Sequence, residues 1–74
     1  MRTSYRVDGF EKRLKTAIAN SNLSVTDVQR KSGVSRSNMW AYFNGVNPSI
    51  YTLMRLSKTL NVSADYLLGL KGEI

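Results

Sequence analysis

The sequence predicts an all-α domain built from five short helices. A start signal recurs along the chain: an apolar residue, then Ser, then another apolar residue four places past the Ser. It occurs as Leu23-Ser24 with Val28, Val34-Ser35 with Met39, and Val62-Ser63 with Leu67. A Ser at the N-cap accepts a hydrogen bond from a first-turn backbone N–H, and the apolar pair flanking it packs as a staple. Stop signals alternate with these starts. Gly33 and Gly45 suit the left-handed conformation past a helix end, and Asn61 can take the same role. Apolar spacing of three and four residues supports the longer helices, and no strand pattern competes.

The first helix is expected over residues 9–20, with Asp8 as its N-cap, Glu11 at the third helical position, and Phe10, Leu14, Ala17 and Ile18 on one face. The second covers 25–32 and opens on Ser24, where Asp27 stands at capping-box spacing. The third, 36–44, opens on Ser35. The fourth, 50–60, opens on Ser49 just after Pro48 and carries Leu53, Leu56, Ser57 and Leu60 along one face; the fifth, 64–69, opens on Ser63. Helices of two or three turns are not stable alone in water, so they must share one core. The expected core is Phe10, Leu14, Ile18, Leu23, Val28, Val34, Met39, Tyr42, Leu53, Leu56, Leu60, Val62 and Leu67.

Length and charge narrow the function. With 74 residues there is room for one domain, expected over 8–70 between a flexible basic arm (1–7, with Arg2 and Arg6) and a short tail (71–74). Eleven Lys and Arg against five Asp and Glu give a net charge of +6 and a pI near 10.1. That balance favours a phosphate-rich partner. The chain has no Cys and no His. The usual general base, the usual zinc ligand and thiolate chemistry are therefore all missing. The carboxylates Asp8, Glu11, Asp27, Asp65 and Glu73 read as caps and surface charges. No enzyme, metal site, cofactor or small-molecule ligand is expected. No apolar stretch reaches the length of a signal peptide core or a membrane span, so a cytoplasmic protein with no membrane partner is expected.

The informative stretch is 24–45, where two short helices join through Ser32-Gly33-Val34-Ser35. Glycine allows a sharp turn with positive φ and Ser35 caps the second helix, which is the sequence form of a helix-turn-helix. On that second helix Met39, Tyr42 and Phe43 are expected to face the core, leaving Arg36, Ser37, Trp40, Ala41 and Asn44 outward. That outward set has no acidic residue and begins with arginine. A helix of this kind fits a major groove, where Arg bonds guanine bidentately and Ser or Asn bonds bases or phosphates.

Residues from about 10 to 69 resemble the helix-turn-helix domain of the Cro/CI repressors, the XRE family. The resemblance rests on Leu23-Ser24, Val28, Ser32 to Ser37, Tyr42, Asn44-Gly45, Pro48-Ser49, Thr52-Leu53, Leu56 and Val62 to Gly69 in that order and spacing. It implies a compact, lambda-repressor-like five-helix fold with the helix-turn-helix at 25–44. It further implies a transcriptional regulator, most simply a repressor, that binds double-stranded DNA as a homodimer on a two-fold-related operator. By the same resemblance Arg36, Ser37, Trp40 and Ala41 fall where base edges are read. Ser24, Val25, Thr26, Asn38, Asn44 and Asn47 fall where the backbone is contacted.

The chain departs from the family pattern in four places. Val25 stands where Gln is frequent, and Gln29 where Ala is usual, so either the two helices spread or the Gln side chain turns toward DNA. The loop Gly45-Val46-Asn47-Pro48 is about one residue short and lacks a Lys or Arg, and Trp40 replaces a more typical polar residue. Trp40 either lies under the N-terminal segment or faces DNA. Lys12, Arg13 and Lys15 form a basic stripe that is either solvated or set against phosphates, and the arm with Arg2 and Arg6 is of the kind that can reach a minor groove. At the other end Tyr66, Leu68 and Leu70, with Ile74, exceed what a two-turn helix buries inward. Tyr66, Leu68 and Leu70 therefore either finish the monomer core or form a dimer contact, which half-sites about 34 Å apart would require. The rival reading is a helix-turn-helix used as a protein-interaction module, such as an antitoxin or antirepressor partner, with Trp40 and Phe43 on the binding surface.

Overall fold

The computed structural model describes residues 7–70. Within them lie five helices and no strand: α1 (Phe10–Asn20), α2 (Val25–Ser32), α3 (Arg36–Phe43), α4 (Ile50–Leu60) and α5 (Ala64–Leu68). The arm 1–6, with Arg2 and Arg6, and the tail 71–74, with Ile74, lie outside the described residues.

Serine caps set four of the five starts. The hydroxyls of Ser24, Ser35, Ser49 and Ser63 accept from the backbone N–H of Asp27, Asn38, Thr52 and Tyr66 at 3.1, 3.2, 3.2 and 3.0 Å. At Ser24 the box is closed in the other direction, the Ser24 N–H donating to the Asp27 carboxylate at 3.2 Å. The first helix departs from expectation. Its N-cap is Gly9, at φ 79° and with no side-chain cap, in place of Asp8. The main chain there has already turned left-handed, and the Asp8 carbonyl is taken instead by the Arg13 guanidinium at 2.6 Å. Stops match the forecast at Gly33 (φ 76°) and Asn61 (φ 56°). The fifth helix ends one residue short of it, since Gly69 itself turns left-handed at φ 84°.

Packing divides the two central helices between two supports: α2 lies on α4, while α3 lies on α1, and α5 joins α1 to α4. Phe10 and Tyr42 meet edge to face, with centroids 6.4 Å apart, and bind α1 to α3. The core contains Phe10, Leu14, Ala17, Ile18, Val28, Val34, Met39, Tyr42, Leu53, Leu56, Leu60, Tyr66 and Leu67, with Leu23 and Val62 half-buried against it. Two members were not expected. Ala17 fills the tight side of α1, and Tyr66 is 7% exposed. Tyr66 is thus a core residue and offers no side chain to a dimer surface. Ser32 is buried as well, its hydroxyl donating to the Val28 carbonyl at 2.6 Å and accepting from the Val34 N–H at 3.3 Å. One hydroxyl thereby satisfies both sides of the turn between α2 and α3.

Candidate nucleic-acid interface

The turn at Gly33 and the two serine caps present the start of α2 and one face of α3 side by side. Between them runs an open groove lined by Val25, Thr26, Gln29, Arg36, Ser37, Met39, Trp40 and Phe43. No carboxylate is among these residues. Arg36 and Ser37 occupy the first two helical positions of α3 and are exposed, as is Asn38 behind them. One turn on, Trp40 is 69% exposed, although its neighbour Met39 is 1% exposed. No described residue buries the indole into a core gap. Ala41 is half-buried at the side of the same face. Gln29 is half-buried and lines the groove, so its side chain takes the outward course.

Of the expected backbone-contact residues, Ser24, Val25 and Thr26 are exposed at the mouth of the groove, and Val25 remains 38% accessible. Asn44, at the far end of α3, donates its side-chain amide to the Trp40 carbonyl at 2.7 Å, which closes the last turn. Asn47 is placed differently. Its carboxamide accepts from the Val7 N–H at 2.8 Å and donates to the Val7 carbonyl at 3.3 Å. The side chain is thus committed to fastening the chain ahead of α1 onto the loop after α3. Val7, assigned by sequence to the flexible arm, is half-buried there.

The basic stripe of α1 also divides. Arg13 is half-buried, donating Nε to the Leu67 carbonyl at 2.9 Å and an Nη to the Asp8 carbonyl at 2.6 Å, and so is bound internally. A side chain at Gly9 or Gly69 would strike this guanidinium, at 2.8 and 2.9 Å. Lys12 is exposed, and the Lys15 ammonium rests 5.8 Å from the centre of the Phe43 ring, which brings a positive charge from α1 beside α3.

Asp27 stands in the first turn of α2, and its carboxylate is bonded to the Ser24 cap. Its pKa lies below the ordinary carboxylate value, first because the Ser24 backbone N–H bonds it and then through the Ser24 hydroxyl; desolvation opposes this, and Arg30 and Lys31 add weaker help. It also pairs with Arg30 at 2.7 Å. The charge meets the positive end of the α2 dipole, which stabilises the helix start.

A family model described as Helix-turn-helix matches residues 14–67, from within α1 through most of α5. The chain belongs to the Cro/CI-type helix-turn-helix family. No curated protein and no solved structure matches it. The match places the chain among DNA-binding helix-turn-helix regulators, a family that is not one of enzymes. Among the described residues no cluster of His, Cys, Asp and Glu could hold a metal, and no helix is long and apolar enough to cross a membrane.

Sequence reasoning missed an apolar surface at the start of α4 of this helix-turn-helix domain. Ile50, Tyr51 and Met54 are 86%, 61% and 46% exposed, and Val46 in the preceding loop is 52% exposed. The signal was present, since all three α4 residues fall outside the Leu53, Leu56, Leu60 stripe. Tyr51 there carries the Arg55 guanidinium 5.1 Å from its ring centre.

Proposed function

We propose that this chain is a transcriptional repressor that occupies a two-fold-related operator as a homodimer, with α3 in the major groove. The observation that carries this reading is Arg36, exposed at the first position of α3 beside a groove with no carboxylate. A cation there is mildly disfavoured by the helix dipole, so its place is better explained by what it meets outside the protein. Arg36 bonds a guanine edge, and Ser37 and Ala41 complete the base contacts. Ser24, Thr26, Asn38 and Asn44 meet the sugar-phosphate wall. The remaining charge attracts and orients the duplex. The second copy packs against Leu70, which is 75% exposed, and the open part of Leu68. No cofactor takes part, and the site of action is the cytoplasm, where the operator lies.

Selection of bound duplexes from a randomised library, then titration of the selected duplex between 50 and 200 mM salt, tests the reading. A steep log-linear fall of affinity with salt is expected. Arg36→Ala should lose roughly 1–3 kcal/mol of binding and relax the preference at one base pair. Equal binding of matched and mismatched duplexes by the two proteins would overturn it. Sedimentation of the protein with and without duplex tests the dimer.

A further inference from the structure

Trp40 and Val25 pose a separate question, since Val25 bears no hydrogen-bonding group and Trp40 only a single indole N–H on a large apolar ring. They belong to different helices, Val25 opening α2 and Trp40 lying in the middle of α3, yet both line the groove that holds Arg36. Large apolar side chains held in water are unfavourable, and 69% of Trp40 and 38% of Val25 remain accessible. The backbone that carries them is fixed by the fold, through the buried Met39 next to Trp40 and the Ser24 cap next to Val25. The groove therefore offers two apolar walls with a guanidinium one helical turn from the indole.

Charge complementarity names the occupant. A groove with an arginine and no carboxylate, on a chain of net charge +6, suits a duplex edge and repels a basic partner. Within the major groove only one base presents an apolar group, thymine with its C5-methyl. We propose that Val25 and Trp40 form a slot for the C5-methyl of a thymine adjacent to the guanine that Arg36 bonds, so that specificity comes partly from a methyl group. The inference rests on the proposed DNA binding and adds the substrate feature that it recognises. Cytosine methylated at C5 presents the same methyl and enters the same slot, whereas uracil lacks it.

The test uses the full chain and the duplex selected from the randomised library, with each thymine replaced in turn by deoxyuridine. Removing one methyl from a buried apolar contact weakens binding by roughly three- to fivefold. We expect one thymine, next to the guanine whose replacement is felt through Arg36, to show that loss. Trp40→Ala and Val25→Thr should each reduce the deoxyuridine penalty at that position toward onefold, and melting temperatures of both variants check that they fold. A cytosine placed there should bind better once methylated at C5. If duplexes are selected but no deoxyuridine costs affinity, or the penalty persists in both variants, the slot is overturned and the DNA reading stands. If no duplex is selected, both fall. If Trp40→Ala changes only the sedimentation of the free protein, the groove seats a second copy and the slot is likewise overturned.

Discussion

Replacing Arg13 with Met tests the assignment that most changed between sequence and structure. Methionine keeps an unbranched apolar stem of similar reach and removes the guanidinium. The two bonds lost, at 2.9 Å to the Leu67 carbonyl and 2.6 Å to the Asp8 carbonyl, join the last turn of α5 to the entrance of α1. Hydrogen bonds from a charged donor contribute about 1.5–3 kcal/mol each in good settings. One of these is part-buried and the other exposed, so about 2–3 kcal/mol for the pair is the reasoned figure. In a domain of this size about 1 kcal/mol moves the melting temperature by about 4–8 °C, which gives a fall of roughly 8–24 °C. Thermal unfolding monitored by circular dichroism measures it. In the same preparation the slope of log affinity against log salt should match that of the parent protein, because no phosphate contact is lost. A melting temperature within about 2 °C of the parent together with a shallower salt slope would refute the clamp and restore Arg13 to the basic stripe.

Smaller effects are expected elsewhere in the fold. Asp27 has a lowered pKa in the folded protein, so the stability it contributes is present above the unfolded-state value of about 4 and is lost as pH falls through the folded one. The difference in urea midpoint between the parent and Asp27→Asn should accordingly be largest near pH 6 and close on acidification; a constant gap would contradict the cap's role. Gly33→Ala forces an L side chain into φ 76° and brings its Cβ to 3.3 Å from Arg55, so a loss of about 1–2 kcal/mol is expected by denaturant titration. Asn47→Ala removes both bonds to Val7 and should lower the melting temperature while duplex affinity is kept. Weaker binding with unchanged melting would return Asn47 to the phosphate contacts.

The helix starts were legible because a serine cap is a bond between residues three apart, with both partners written next to each other. Ser24 with Asp27 is the fullest case, and the left-handed stops at Gly33 and Asn61 are equally local. The exposure of Trp40 was legible for a related reason, as Met39 and Tyr42 take the inward positions of a helix and leave position 40 outside. What stayed hidden involves main-chain partners distant in sequence. Arg13 reaches a carbonyl 54 residues away and Asn47 a peptide group 40 residues away, and backbone groups carry no residue-specific signature. Tyr66 was misplaced because its burial depends on the space that α1 and α4 leave at the end of a five-residue helix, a matter of shape that spacing does not reveal. The groove itself needed the structure, since Val25 and Trp40 are 15 positions apart and line one groove only once Gly33 turns the chain.

Helix α3 is divided along its length as well as around it. Arg36, Ser37 and Asn38 make up a polar leading half, all exposed, while Met39 and Tyr42 behind them hold the helix down. Exposed positions away from caps and turns usually change stability by no more than about 0.5 kcal/mol when substituted. Among the residues that face the groove, Arg36, Ser37 and Trp40 are exposed and take no part in holding α3 in place, whereas Met39 and Phe43 do both. If α3 reads DNA as proposed, such a layout lets positions 36, 37 and 40 be exchanged without renegotiating the fold, so that new binding preferences are reachable by single substitutions from a chain that stays folded throughout. It also makes this domain a practical frame for retargeting, with Met39, Tyr42, Ser35 and Gly33 kept and positions 36, 37 and 40 varied.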